Sequence, residues 1–268
     1  DWDLFAISTY ASVSVLFWFI GLIPDLATLR DRTDNRFQRI LYATLALGWN
    51  GSAKAWQRYQ RAYLLLAALS FPLVLSVHST IAMDFAVSQV PGWNNTIMPP
   101  YFVAGAVFAG FAMVLILAIP LRKALHLEQL ITKRHLDNAA KLMLATGLIV
   151  VYGYAVELFD AWYSGVEFEK YMAYNRVLGA DHWWAFWLLI AANGVAIQPL
   201  WFRSVRQSPL ALFIISIIVS IGMWLERFVI VAVTLTKDFL LSSWGDYVST
   251  FWDWSLYIWS FGLFGTLF

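Results

Sequence analysis

Ionisable side chains inside apolar segments are the residues of this sequence most able to do chemistry. A charge in hydrocarbon costs at least about 2.5 kcal/mol, so such a group is a functional candidate by default. Carboxylates and imidazole can exchange protons near neutral pH, which makes proton transfer and hydrogen bonding the expected chemistry. The candidates are Asp3, His78, Asp84, Glu157, Asp160, Glu226 and Arg227.

Asp84 is the most isolated of these groups. It follows 22 residues without Asp, Glu, Lys or Arg, and segment 87–99 after it carries no charge. One interpretation is a base that takes a proton from a substrate in an apolar pocket; the other is a carboxylate hydrated at a helix end. His78 lies six positions earlier, about 600° around a helix, and so does not share a face with Asp84. A lone histidine of this kind is more often a hydrogen-bonded core residue than a ligand.

Two further pairs of charged residues are candidates for proton transfer. Glu157 and Asp160 are three positions apart and share a helix face, which suits a proton relay or, equally, an acidic pair facing the interface. Glu226 and Arg227 are adjacent and point about 100° apart, so each is expected to pair with another helix. A structural role is favoured for this second pair, and participation in a proton wire is the alternative.

The composition predicts an all-α integral membrane protein. Hydrophobic residues make up 60% of the chain and charged residues 13%, and the mean hydropathy is +0.64. Apolar runs of about 20 residues without strand-like alternation favour transmembrane helices over a barrel. The net charge of +1 gives no reason to expect nucleic acid, and zero cysteines exclude thiolate-held metal or iron–sulfur sites within this chain.

About seven spans are predicted. Lys and Arg number fourteen in the first, third and fifth loops but only three in the loops on the other side. The positive-inside rule therefore puts the first, third and fifth loops in the cytoplasm and all seven candidate side chains in the outer half of the membrane. The predicted spans are 4–24, 62–85, 100–121, 138–163, 182–202, 208–236 and 250–268.

Several functions lack the residues they need. A haem b site needs two axial ligands, commonly histidines on facing helices, and only His78 lies well inside a span. A retinal protein needs a lysine in its last span, where there is none. An ion-coupled transporter remains possible, although the paired broken helices typical of transporters are not evident.

Long motifs carry a family resemblance over essentially the whole chain. They are Asp3-Leu4-Phe5-Ala6-Ile7-Ser8-Thr9-Tyr10, Gly21-Leu22-Ile23-Pro24-Asp25-Leu26-Ala27-Thr28, Ser76-Val77-His78-Ser79-Thr80, Asp84-Phe85-Ala86, Val90-Pro91-Gly92-Trp93 and Trp224-Leu225-Glu226-Arg227-Phe228. The sequence resembles the NrfD-like family, the membrane subunits of polysulfide reductase and its relatives. Within that family it is most similar to the quinol-binding membrane subunit of bacterial alternative complex III.

The resemblance implies a ten-helix protein with two four-helix bundles, in which residues 1–268 form the NrfD-like transmembrane domain without its first helices. It implies menaquinol bound non-covalently near the outer face of the bacterial inner membrane. Asp3 and Asp84 correspond to the family's quinone-site carboxylates, and His78 is a further candidate contact. The implied partners are an iron–sulfur subunit on the periplasmic side, multihaem cytochrome c subunits and a homologous membrane subunit.

The expected function is therefore menaquinol oxidation by one subunit of a respiratory oxidoreductase, which is not catalytic alone. Proton translocation through Glu157, Asp160, Glu226 and Arg227 is an additional hypothesis. The alternatives are a structural or proton-channel paralogue of the same complex that binds no quinol, and an ion-coupled transporter.

Overall fold

The computed structural model describes residues 2–179, 182–237 and 239–267, and these residues form helices and connecting loops without a strand. Two helices continue into π-helical turns, Ala191–Val195 and Phe228–Val233, and short 3₁₀ turns occur at Gln198–Trp201 and Leu241–Ser243. The α-helices are α1 Trp2–Arg32, α2 Arg36–Leu45, α3 Ala53–Ala86, α4 Met98–Ala124, α5 Lys133–Tyr163, α6 Glu167–Leu178, α7 Trp183–Ile190, α8 Arg203–Arg206, α9 Pro209–Arg227 and α10 Phe251–Leu267.

Six helical segments of the described chain are long and apolar enough to cross a membrane, which confirms the predicted all-α membrane fold. The seventh predicted span, 250–268, corresponds to α10, a helix of 17 residues. Its predicted last residue, Phe268, lies outside the described residues. The six segments are Trp2–Arg32, Ala53–Ala86, Met98–Ala124, Lys133–Tyr163, Trp183–Trp201 and Pro209–Val233.

The chain divides into two compact units, Asp1–Asp84 and Phe85–Phe268. In the first unit, α1 packs against α2, and the ring centroids of Phe17 and Tyr63 lie 4.5 Å apart. The short helix α2 is capped by Asn35, whose side chain accepts hydrogen bonds from the first-turn amides of Phe37 and Gln38.

The second unit is built around α4, α5, α7 and α9, with α4 packed against both α5 and α9. Close approach of α4 to α5 depends on Gly153. A Cβ atom at this position would lie 2.6 Å from the ring of Tyr101, so a larger residue would force the two helices apart. The core of the unit therefore brings Tyr101 and Tyr154 into edge contact, with ring centroids 5.7 Å apart.

Several predicted helix boundaries were wrong. Helix α1 continues through Pro24 to Arg32, and α3 begins at Ala53 rather than at residue 62. A helix of 31 residues is about 46 Å long, whereas the hydrocarbon layer is about 30 Å thick. The thickness of the bilayer limits the length of the apolar run but not the length of the helix. Helices α1 and α3 therefore extend beyond their apolar runs into charged sequence.

The fifth predicted span, 182–202, is not one regular helix. Helix α7 ends at Ile190, a π-helical turn follows, and Pro199, which has no amide hydrogen to donate, lies in the next 3₁₀ turn. The sequence prediction also missed α2 and α6, which lie in the first and fourth loops. Both are short and polar on average, so a search for apolar runs does not find them.

Candidate functional site

Asp3 and Asp84 meet at one end of the first unit. Asp3 lies in the first turn of α1 and Asp84 near the end of α3, and their carboxyl groups are within hydrogen-bonding reach of each other. A bond between two carboxyl groups requires a proton on one of them. Asp3 Oδ1 is buried and receives no hydrogen bond from the described residues. The pair can therefore accept or release a proton and bind a hydroxyl donor.

His78 is not part of this pair. Its Nδ1 lies 2.8 Å from the carbonyl oxygen of Val74, one turn earlier in the same helix. Among the described residues it makes no hydrogen bond to Asp3 or Asp84. This geometry matches a histidine satisfied by its own backbone, and only its other ring nitrogen remains available for a ligand.

A second candidate site is buried in the core of the second unit around Glu226. This glutamate is 2% exposed, and its Oε2 accepts a 2.5 Å hydrogen bond from the hydroxyl of Tyr154. That hydroxyl in turn accepts a 2.8 Å bond from Nδ2 of Asn193, which is 0% exposed. Glu226, Tyr154 and Asn193, which we call the core network, thus connect α9, α5 and the π-helical turn after α7.

The core network is incompletely satisfied. Two of its buried atoms, Glu226 Oε1 and Asn193 Oδ1, make no hydrogen bond within the described residues. The same is true of the buried hydroxyl of the neighbouring Tyr101. The Tyr101 hydroxyl lies close to both Glu226 and Tyr154 but outside hydrogen-bond geometry. Buried polar groups without partners are rare in proteins and often accompany bound water or function. The core network therefore has free capacity to bind water or to pass a proton.

Both π-helical turns adjoin the core network. Asn193 lies within the first turn, and the second begins at Phe228, two residues after Glu226. Such turns are rare and occur frequently at functional sites, because the extra residue redirects the side chains around it. Here Asn193, in the first turn, and Glu226, just before the second, both bond to the hydroxyl of Tyr154.

Arg227 points away from Glu226, as the 100° separation of adjacent helical residues predicts. Its guanidinium carbon lies 4.1 Å from the ring centroid of Phe102 on α4, a cation–π contact. Its Nη2 is 3.7 Å from Glu226 Oε1, which is too long for a hydrogen bond. The two residues thus bind mainly to different helices, Glu226 to α5 and Arg227 to α4.

Sequence reasoning missed Arg176, which was counted only as an outward-loop cation. It lies on α6, is 5% exposed and forms an ion pair with Glu157 on α5. Its Nη2 donates to the carbonyl of Gly92 at 3.1 Å and to the hydroxyl of Thr234 at 2.7 Å. One guanidinium therefore ties together α5, α6, the loop before α4 and the end of the α9 segment, by which we mean α9, the π-helical turn after it and Thr234, residues 209–234. We call Arg176 and these three partners the arginine hub.

Gly92 fits the arginine hub because it has no side chain. Its φ is +83°, and a Cβ atom there would lie 2.7 Å from Nη2 of Arg176. Its amide donates a 2.8 Å hydrogen bond to Glu169 on α6. Burial raises the pKa of Glu169 above its ordinary range, although this hydrogen bond and the charge of Arg176 act in the opposite direction.

Glu157 and Asp160 line one cavity of about 210 Å³ together with Arg176, as their shared helix face predicts. Glu157 is paired with the arginine, whereas Asp160 makes no ion pair within the described residues. The cavity is therefore a polar pocket at the end of the bundle, next to the arginine hub. Its other lining residues include Asn94, Asn95, Thr96, Ser164 and Glu169.

Six apolar segments long enough to cross a membrane define an integral membrane protein, and the carboxyl groups within these segments are candidates for a functional role. The family model described as Polysulphide reductase, NrfD matches residues 1–236, and the chain belongs to this family. Members are membrane subunits of quinone-linked redox complexes and typically pair with an iron–sulfur subunit. This chain is therefore a multi-pass membrane subunit of such a complex. No curated protein matches it closely enough to count as a relative.

Proposed function

We propose that this chain is the menaquinol-oxidising membrane subunit of an alternative complex III, the subunit called ActC. The observation that carries the proposal is the contact between the carboxyl groups of Asp3 and Asp84. These are the residues that the resemblance assigns to the quinone site, and they come from helices far apart in sequence. Their meeting supports a common role.

The chemistry of the carboxyl pair suits a quinol substrate. Oxidation of one quinol to quinone releases two protons and two electrons. The two hydroxyls of the quinol donate in turn to Asp84 or to the buried Asp3 Oδ1. Each time the carboxylate takes the proton as a general base and releases it to water through the exposed Asp84, so that both protons leave the site. The two electrons leave to redox centres in a partner, since the chain has no cysteine to bind an iron–sulfur cluster.

The proposed orientation follows from the distribution of Lys and Arg. The loops after the first, third and fifth predicted spans, which are rich in Lys and Arg, face the cytoplasm of a bacterial inner membrane, and this puts the carboxyl pair at the outer, periplasmic side. The iron–sulfur subunit covers that side and passes electrons to multihaem cytochrome c subunits. A homologous membrane subunit lies beside this chain in the bilayer.

Labelling of the intact complex tests this quinol site. A photoreactive menaquinone analogue is expected to label peptides that contain Asp3 or Asp84, because both carboxyls contact the ring hydroxyls in the proposal. Excess menaquinol should suppress the labelling, and mass spectrometry of the digested chain locates it. Labelling confined to peptides of α4, α5 and α9 would contradict the assignment.

We also propose that the core network transfers protons, together with Arg227 and the cavity carboxylates Glu157 and Asp160. The support is the hydrogen-bonded sequence Asn193, Tyr154 and Glu226, which leaves acceptor atoms free inside an apolar bundle. A chain of hydroxyl, amide and carboxyl groups can relay a proton if water completes it. The same network also fits a proton-channel paralogue that binds no quinol.

Tyr154→Phe is expected to lower the number of protons translocated per quinol oxidised, because it removes the hydroxyl between Glu226 and Asn193. The matched control is Tyr152→Phe, two positions away on α5 and 61% exposed, whereas Tyr154 is 5% exposed. Proton uptake by proteoliposomes containing the whole complex gives the ratio. An unchanged ratio at an unchanged oxidation rate in Tyr154→Phe removes the core network from the pathway.

Two measurements separate the alternatives. A structural or proton-channel paralogue retains quinol oxidation by its complex when both Asp3 and Asp84 are replaced by asparagine. An ion-coupled transporter takes up substrate into vesicles without a redox partner, which the proposed subunit does not.

A further inference from the structure

An aromatic cavity of the second unit lies between α7, the α9 segment and α10. Its volume is about 370 Å³. It is walled by the side chains of Trp184, Trp224, Phe228, Tyr247, Trp254 and Tyr257, with His182, Ser249 and Asp253 at its polar positions. No step of the proposed quinol or proton chemistry uses this cavity, so its function requires a separate explanation.

The rings of the cavity are arranged around Phe228. Trp224 stacks on this ring at a centroid distance of 5.9 Å and an interplanar angle of 14°, and Trp184 lies at 6.3 Å and 28°. Tyr247 contacts it edge-on at 5.8 Å. Aromatic faces carry negative partial charge, and several faces around one space form the kind of cage that binds ammonium groups.

Asp253 gives the cage a full negative charge. Its Oδ2 accepts bonds from the amide and the hydroxyl of Thr250, each at 2.7 Å, and so caps the start of α10. Its Oδ1 accepts no hydrogen bond from the described residues. One carboxylate oxygen therefore remains for a ligand, and the cage combines this charge with the aromatic rings.

The position of the cage favours a lipid over a soluble cation. Trp184, Trp224 and Trp254 are between 42% and 52% exposed at the ends of apolar helices, where tryptophan marks the level of lipid headgroups. The wall of the cavity is mainly apolar carbon, which suits the glycerol and upper acyl region that follows a headgroup.

We propose that this cage binds the ammonium headgroup of a zwitterionic phospholipid such as phosphatidylethanolamine. The ammonium group lies among the aromatic rings of the cage and pairs with Asp253, and the acyl chains follow the apolar surface of α9 and α10. An anionic phospholipid without an ammonium group is excluded by the carboxylate. This binding is independent of the proposed quinol site.

Native mass spectrometry of the purified complex tests the proposal. The wild type is expected to retain one phosphatidylethanolamine molecule. In Trp224→Leu and in Asp253→Asn, the occupancy of this lipid should fall at least fivefold. Asparagine at 253 keeps an oxygen to accept the bonds from Thr250. Trp259→Leu is the matched control for both variants. Trp259 lies on α10, the helix of Asp253, is 62% exposed and does not line the cavity.

Unchanged phosphatidylethanolamine occupancy in both variants would overturn the proposal, as would equal retention of phosphatidylglycerol. Loss of menaquinone in place of the phospholipid would identify the cage as a second quinone site.

A fluorescence measurement on the wild-type complex provides an independent test, because it does not require a variant to assemble. Brominated phosphatidylethanolamine should quench its tryptophan fluorescence at least twofold more than brominated phosphatidylglycerol, and equal quenching would also refute the assignment.

Discussion

Menaquinol oxidation is expected to fall at least 100-fold in Asp84→Asn while the complex still assembles. Asparagine matches the size of aspartate but cannot take up a proton, and general-base catalysis contributes about 10²- to 10⁴-fold to rates. Asp84 is exposed in the first unit, so the replacement buries no new polar group. The loss should appear in kcat at saturating menaquinol, with a smaller change in KM, in steady-state assays of the whole complex.

Asp25→Asn is the matched control for Asp84→Asn. Asp25 is an exposed carboxylate in the same helix as Asp3, about six turns away, and it should leave the oxidation rate unchanged. Asp3→Asn is expected to resemble Asp84→Asn, since a proton shared by two carboxyl groups needs both. Wild-type activity of Asp84→Asn with bound quinone retained would remove Asp84 from the site.

The largest expected effect on stability is that of Arg176→Gln. Removing one partner of a buried ion pair costs about 3 to 5 kcal/mol, because the remaining charge loses its compensation. In this variant Glu157, whose side chain is 16% exposed, and the Gly92 carbonyl both lose their donor. Thermal and denaturant unfolding of the purified complex should show the loss, and the segment around Gly92 should become more accessible to protease.

Lys170→Gln removes the same charge from an exposed position of α6 and should change stability by less than about 0.5 kcal/mol. The double variant Arg176→Gln/Glu157→Gln is expected to recover part of the loss, since it removes the uncompensated carboxylate. Equal stability of Arg176→Gln and Lys170→Gln would show that the arginine hub does not hold the bundle end together.

Sequence reasoning predicted the helical membrane fold because apolar length and composition are local properties of the chain. It could not predict the ends of α1 and α3, since both helices continue beyond the apolar run and α1 continues through Pro24. The break after α7 was also missed. At this break Asn193 donates to Tyr154, which is 39 residues earlier in the chain, and a contact over this distance is not evident from the local sequence.

The candidate sites were predictable to different degrees. Glu226 and Asp84 stand out because each is a charge within an apolar run. The contact of Asp84 with Asp3 needed the fold, because position along each helix predicts depth but not which faces meet. Arg176 had a weak signal as one of few cations on its side, but a charge count cannot show that an arginine is buried among three other segments.

The arginine hub also constrains the order in which the protein can be made. Its contacts join residues separated by 84 positions, between Arg176 and Gly92, and by 58, between Arg176 and Thr234. During synthesis, Arg176 and Glu157 can pair once α6 is complete, but the bond to Thr234 must wait until the ribosome has added the end of the α9 segment. The arginine hub can therefore be completed only after residue 234 has been synthesised.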